Sequence, residues 1–211
     1  IGALKRVHGE DNGLVLPPYV APTRVIIVPI RADKDPAVRK AAADLTNGLL
    51  KAGIRAKADF SEKSPGWKFS QYEMKGVPLR IEVGPRDLAA GNVVFTRRFD
   101  GVKETVALSA AIDKVPAALK EIHEGMYAKA LAYRDSHITA CSTYDELKNV
   151  VTSGRGYAKV MWCGDQADED KVKDDVNASS RCLPFDQAPF GDRCAICGKP
   201  ATKVVLFARA Y

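Results

Sequence analysis

Two stretches of this chain hold side chains whose types and spacing could do chemistry. The first is Ser64 to Asp87, SPGWKFSQYEMKGVPLRIEVGPRD, which packs three aromatic rings, two glutamates before its closing aspartate and four basic side chains between Gly/Pro breaks. The spacing predicts a helix over 65–75, on which Phe69 and Glu73, four residues apart, are neighbours on one face. An aromatic ring beside a carboxylate suits a nucleobase, because single-stranded RNA is read by stacking and by hydrogen bonds to exposed base edges. A glutamate there can accept the N1 and N2 protons of guanine. Arg80 and Arg86 offer planar forks of donors for guanine acceptors or phosphate, and Asp87 is a second candidate acceptor. The same pattern also arises on helices whose ring is in the core and whose acid is solvated.

The second stretch is Cys194-Ala195-Ile196-Cys197-Gly198, a C-x-x-C turn that lets two sulfurs share one metal. Such a half-site needs two further ligands, and Cys163 in Trp162-Cys163-Gly164-Asp165 is the third candidate. For the fourth, the residues leave both Cys182 and Asp168 open; the alternative to a metal is a subdomain whose thiols simply pack. With no histidine near, a structural zinc suits these ligands better than a catalytic one. Cys141 reads as a packing residue.

Other chemistry finds no support. His8, His123 and His137 are scattered, with no serine or cysteine at nucleophile spacing, and no G-x-x-x-x-G-K-[ST] phosphate loop occurs. In 211 residues there are 46% hydrophobic and 27% charged residues, the balance of a globular protein. No apolar run approaches the roughly 20 residues of a membrane span. A net charge of +6 favours a polyanionic partner without requiring one. Five cysteines, an odd count, suit reduced thiols or a metal site in a cytoplasm better than a secreted disulfide framework.

The elements that must position these groups alternate. A β-branched run at 24–30 reads as a strand, and Asp35-Pro36 opens a helix with Val38, Ala41, Leu45 and Leu49 on one face and Gly53 as its stop. Residues 54–60 and 79–83 read as strands, and 92–98 with 103–108 as a hairpin around Asp100-Gly101. Pro116 marks a helix start with Leu119, Ile122 and Met126 on one face. A domain boundary is expected between Gly125 and Ser142, Thr143 and Glu146 suggest a capping box, and 158–162 and 203–207 read as strands around an acidic, cysteine-bearing segment. The opening residues read as an apolar, strand-like run leading into a Gly/Asp turn, and the chain reads as beginning at a cut end. The fold class is α/β.

The strings HGEDNGLVLPPYVAP, SPGWKFSQYEMKGVPLRIEVGPRD, WCG, RCLPF and CAICGKPATKVVLFARAY closely resemble the prolyl-tRNA synthetases of the archaeal and eukaryote-like type over nearly the whole chain. The resemblance implies a carboxy-terminal piece of a class II synthetase: residues 1–22 as the tail of a catalytic domain, 23–125 as an anticodon-binding domain with a mixed sheet flanked by helices, and 126–211 as a small α+β zinc-binding domain. It implies a proline–tRNA ligase, homodimeric when whole, whose proline, ATP and magnesium sites lie mostly upstream, so that the piece alone is inactive; the rival is a free-standing RNA-binding adaptor. Phe69, Glu73, Arg80, Arg86 and Asp87 then match the family's readers of the two guanines shared by proline anticodons. Cys163, Asp168, Cys194 and Cys197 match its four zinc-binding cysteines, with Asp168 standing where relatives carry Cys. That departure allows a Cys3Asp site, recruitment of Cys182, or loss of the metal. Tyr19 replaces an arginine usual after the paired prolines, and terminal Tyr211 matches a carboxy terminus that approaches the catalytic pocket in relatives.

Overall fold

A computed structural model describes residues 2–154 and 156–209; Tyr211 lies outside the described residues. The chain divides into two compact units, Ile1–Ala128 and Lys129–Tyr211.

The first unit opens with helix α1 (Gly2–His8) and a two-residue hairpin, β1 (Gly9–Glu10) and β2 (Gly13–Leu14). The strand-like reading of the opening is therefore corrected to a helix. Leu4 and Val7 stay exposed rather than lining a sheet, and Lys5, Arg6 and His8 in the last turn suit the negative end of a helix dipole. Then come β3 (Val25–Pro29), α2 (Pro36–Lys51), β4 (Ala56–Ala58), α3 (Pro65–Met74), β5 (Leu79–Val83), α4 (Pro85–Ala89), β6 (Asn92–Arg97), β7 (Lys103–Ala107) and α5 (Ala111–Ser136), whose residues from Lys129 on belong to the second unit. The sheet order is β4-β3-β5-β6-β7, parallel where helices cross over between β3, β4 and β5 and antiparallel from β5 to β7.

Helix α2 starts as its sequence says, with the Asp35 carboxylate accepting from the amides of Ala37 and Val38 and Pro36 in the first turn. Its Val38, Leu45 and Leu49 pack with Val25, Ile27, Leu79, Ile81, Val93, Phe95 and α5's Val115, Leu119 and Ile122 into the main core. Pro116 lies in the second turn of α5 rather than at its first residue, because a 3-10 turn at Leu108–Ala110 leads directly into Ala111. The expected strand over 54–60 shrinks to three residues, the length over which β4 pairs with β3. On the other face of the sheet, α3 covers β3 through Phe69 and Tyr72 against Ile26, Val28 and Val77.

In the second unit, β8 (Ile138–Cys141), α6 (Tyr144–Thr152), β9 (Tyr157–Trp162), α7 (Gln166–Val176), β10 (Ala178–Cys182) and β11 (Lys203–Arg209) form a sheet ordered β10-β11-β9-β8. The Thr143–Glu146 capping box forms in full. Leu147 and Val151 of α6 and Val172 of α7 pack on Val160, Val205 and Phe207. The acidic segment conceals α7 and β10: α7 buries only Asp168, Val172 and Val176, too few apolar positions to show a helical period. Among the described residues, no helix is long and apolar enough to cross a membrane.

Candidate nucleic-acid interface and metal centre

Helix α3 begins where Ser64 caps it, its hydroxyl accepting from the Trp67 amide, with Pro65 in the first turn. Position 68 and position 72 then share one face, and 69 and 73 share the next. The first of these faces is held by a buried polar cluster. Lys68 is only 4% exposed, and its Nζ donates to the Asp59 carbonyl at 2.9 Å with the Asp59 carboxylate at 3.9 Å. Asp59 also accepts from the Ser61 amide at 2.9 Å. Burial pushes the Asp59 carboxyl up, but hydrogen bonds from Ser61 and Tyr72 and the Lys68 charge outweigh it and hold the group below its ordinary value. Burial, with the Asp59 charge and hydrogen bond behind it, pushes the Tyr72 phenol up to about 12.

The second face meets β5. Arg80, although it is arginine, is 8% exposed. Its guanidinium lies 4.0 Å from the centre of the Phe69 ring, its Nη1 donates to Glu73 Oε1 at 2.8 Å, and its Nε donates to Glu82 Oε1 at 3.1 Å. A buried guanidinium is acceptable on these terms, since two carboxylates and an aromatic face replace its water. A cleft of about 180 Å³ opens beside it, lined among others by Tyr72, Glu73, Arg80, Thr96 and Arg98. Arg98 forms part of its wall, its Nε donating to the Glu73 carbonyl at 3.2 Å and its Nη2 pairing with Glu10 at 2.6 Å.

Phe69, Glu73 and Arg80 are therefore brought into direct contact. Arg86 and Asp87 are not in that contact: they lie in α4, past the far end of β5, with Arg86 exposed and Asp87 half-buried. One face of Phe69 is already spent on Arg80. Asp59, Lys68, Glu82, Thr96 and Arg98 escape a sequence reading. Only the four-residue spacing of Lys68 from Tyr72 hints at their role, and a lysine at a buried helix position runs against composition rules.

In the second unit, one ligand atom each from Cys163, Asp168, Cys194 and Cys197 lies within 4.8 Å of the others. Cys163 follows β9, Asp168 sits in the first turn of α7 behind the N-cap Asp165, and Cys194 and Cys197 come from the C-x-x-C turn, where the Gly198 amide donates to the Cys194 carbonyl. The three thiols donate to one oxygen, Asp168 Oδ2, at 3.1, 3.2 and 2.9 Å, and the sulfurs of Cys163 and Cys197 are 3.8 Å apart. Burial pushes Asp168 up, but the hydrogen bonds from the three thiols outweigh it and leave its carboxyl lowered. Cys197 is pushed up to about 12, first by desolvation and then by its bond to Asp168. Cys182, exposed on β10, is outside this group, and Cys141 is buried in the core.

A tetrahedral zinc with bonds of about 2.3 Å to sulfur and about 2.0 Å to oxygen holds its sulfurs about 3.8 Å apart and sulfur and oxygen about 3.5 Å apart. The sulfur–oxygen distances fit such an ion with an outward shift of a few tenths of an ångström, and the Cys163–Cys197 separation already matches it. The carboxylate also has the same charge as the thiolate it would replace.

Comparison with known proteins places both units. A family model described as an anticodon binding domain matches residues 24–118, and one described as prolyl-tRNA synthetase, C-terminal, matches residues 144–211. The proline--tRNA ligase of Lachnospira eligens is 45% identical over 211 residues, covering 100% of this chain and 44% of that protein. A proline--tRNA ligase 2 of Bacillus cereus is 43% identical, and the proline--tRNA ligase of Clostridium novyi 45%, with the same coverage. The chain thus spans 44% of the length of the curated relatives it matches.

Proposed function

Because this chain belongs to the prolyl-tRNA synthetase family, of which it carries the anticodon-binding and carboxy-terminal domains, we propose that it reads the anticodon of proline tRNA for a proline–tRNA ligase. The observation that carries the reading is the contact of Phe69, Glu73 and Arg80 beside an open cleft. Glu73 keeps a side chain 39% exposed, placed to accept guanine N1 and N2 protons. Arg80, held flat by Phe69, presents its remaining donors to acceptor edges. Arg86, exposed at the other end of β5, suits phosphate or a second base, with Asp87 as the further acceptor.

In this assignment residues 1–22 are the tail of a catalytic domain, 23–125 the anticodon-binding domain and 126–211 the zinc-binding domain. The catalytic domain would activate proline with ATP and magnesium, transfer it to tRNA, and form the homodimer, with Tyr211 completing that enzyme. Cys163, Asp168, Cys194 and Cys197 would hold a structural zinc, which suits a reduced cytoplasm; Asp168 is favoured over Cys182 because three thiols already converge on it.

The test is binding of the chain to proline-tRNA transcripts with each anticodon guanine changed in turn. Each change is expected to cost about 1–3 kcal/mol, and Glu73→Ala is expected to erase the preference at one guanine while sparing affinity for unrelated RNA. Equal affinity for every transcript would refute the reading.

A further inference from the structure

Strand register brings a row of polar side chains to one carboxylate. Arg80 stands opposite Thr96, and Thr96 opposite Lys103, while Glu82, two residues along β5 from Arg80, shares its face of the sheet. Glu82 Oε1 accepts from Arg80 Nε at 3.1 Å and from Thr96 Oγ1 at 3.0 Å, with Lys103 Nζ 3.9 Å away. Glu82 has so far entered only as a carboxylate that holds Arg80, through which it reaches Glu73.

Its effect falls on how Arg80 meets Glu73. A guanidinium facing a carboxylate frequently closes into a bidentate fork, two parallel bonds to both oxygens. Here Arg80 gives Glu73 one bond only, Nη1 to Oε1, and among the described residues Oε2 of Glu73 accepts nothing. The side-on fork, through Nε and an η nitrogen, is closed because Nε is committed to Glu82. With Nε held by Glu82 and the guanidinium laid 4.0 Å from the centre of the Phe69 ring, Arg80 presents Nη1 alone to Glu73.

We infer that Glu82 is a positioning residue for guanine recognition: by binding Arg80 Nε it keeps the Arg80–Glu73 pair single and leaves Glu73 Oε2 open to a base. The inference rests on the reading of Glu73 given above. With both oxygens engaged by arginine, Glu73 would have fewer lone pairs in the base plane and the wrong orientation for two parallel N–H donors. Glu82 therefore sets selectivity without touching the base, and Thr96 and Lys103 fix its carboxylate in turn.

The experiment measures binding of the purified chain to anticodon stem-loop RNAs carrying guanine, inosine, which lacks the N2 amine, or adenine at each position read. For the unmodified chain the guanine-to-inosine ratio is expected at about fivefold to a hundredfold at one position. Glu82→Ala is expected to bring that ratio close to one, while affinity for the adenine RNA holds or rises, because one negative charge has been removed from the binding face. Glu82→Gln keeps an acceptor for Nε and is expected to recover most of the ratio. A Glu82→Ala chain that keeps the full ratio overturns the inference. So does equal loss of affinity for all three RNAs, the mark of a merely structural residue, and so does Glu82→Gln failing as completely as Glu82→Ala. A ratio of one in the unmodified chain would instead refute the guanine-reading role of Glu73.

Discussion

Replacing Asp59 is expected to destabilise the first unit more than replacing its partner Lys68, and the structure sets the margin. The two side chains are 10% and 5% exposed with charges 3.9 Å apart, a separation worth about 4 kcal/mol of attraction at an effective dielectric of 20, much of it offset by desolvation. In Asp59→Ala the Lys68 ammonium stays buried with one backbone carbonyl as its partner, while the Ser61 amide and the Tyr72 hydroxyl lose their acceptor. An orphaned buried charge costs about 3–5 kcal/mol. In Lys68→Met the aliphatic stem is conserved and the carboxylate keeps Ser61 and Tyr72, so a cost of about 1–2 kcal/mol is expected. The double variant should cost at least about 1 kcal/mol less than the sum of the two. The assay is urea unfolding in a Trp162→Phe background, where Trp67 on α3 is the sole remaining tryptophan. Equal costs for the two single variants, or strict additivity, would refute the reasoning. Because the Asp59 carboxyl is lowered in the folded state, its contribution is complete above the ordinary value of 3.8 and is lost as pH falls through the lower folded value. Tyr72 gives the opposite wing: its contribution is complete below 10.0 and is lost as pH rises through about 12.

Three further outcomes are expected. Asp168→Ala removes a direct ligand, so zinc retention against a chelator should fall by more than the 10–100-fold typical of outer-shell changes, and Asp168→Cys should raise it; elemental analysis finding no zinc in the unmodified chain would dispose of the site. Phe69→Leu keeps apolar volume but removes the ring under Arg80, and should cost about 0.5–2 kcal/mol together with guanine preference, read by urea unfolding and RNA binding. Gly13 has φ +120 and a Cβ there would strike the Met74 backbone, so Gly13→Ala should cost about 1–3 kcal/mol; an unchanged unfolding midpoint would show that the hairpin does not depend on seating against α3.

Legibility differed between elements for physical reasons. Helices α2 and α3 were open to reading because the Asp35-Pro36 start of the first and the four-residue spacing within both are local signals, and Asp35 forms the cap its place implies. Helix α7 was not, because it buries one acid and two valines and carries the rest of its length in solvent. Nor was α1, which leaves Leu4 and Val7 exposed, so that no periodicity forecasts it. The reach of α5 back to Ala111 was hidden by Pro116, whose missing amide is a poor guide when a 3-10 turn has already nucleated the helix.

By itself the sequence determined the residue types that chemistry requires: a ring, a glutamate and two arginines within one short segment, and a C-x-x-C turn with further candidate ligands upstream. It also carried the likeness to the prolyl-tRNA synthetases, since motifs in order survive without coordinates. Tertiary structure decided which of these meet. Strand register puts Arg80 opposite Thr96 and the packing of α3 lays the Phe69 ring on its guanidinium, and the first turn of α7 brings Asp168 rather than Cys182 to the three thiols. Both outcomes depend on contacts between residues distant along the chain, and no local spacing encodes the angle at which two separately formed elements pack.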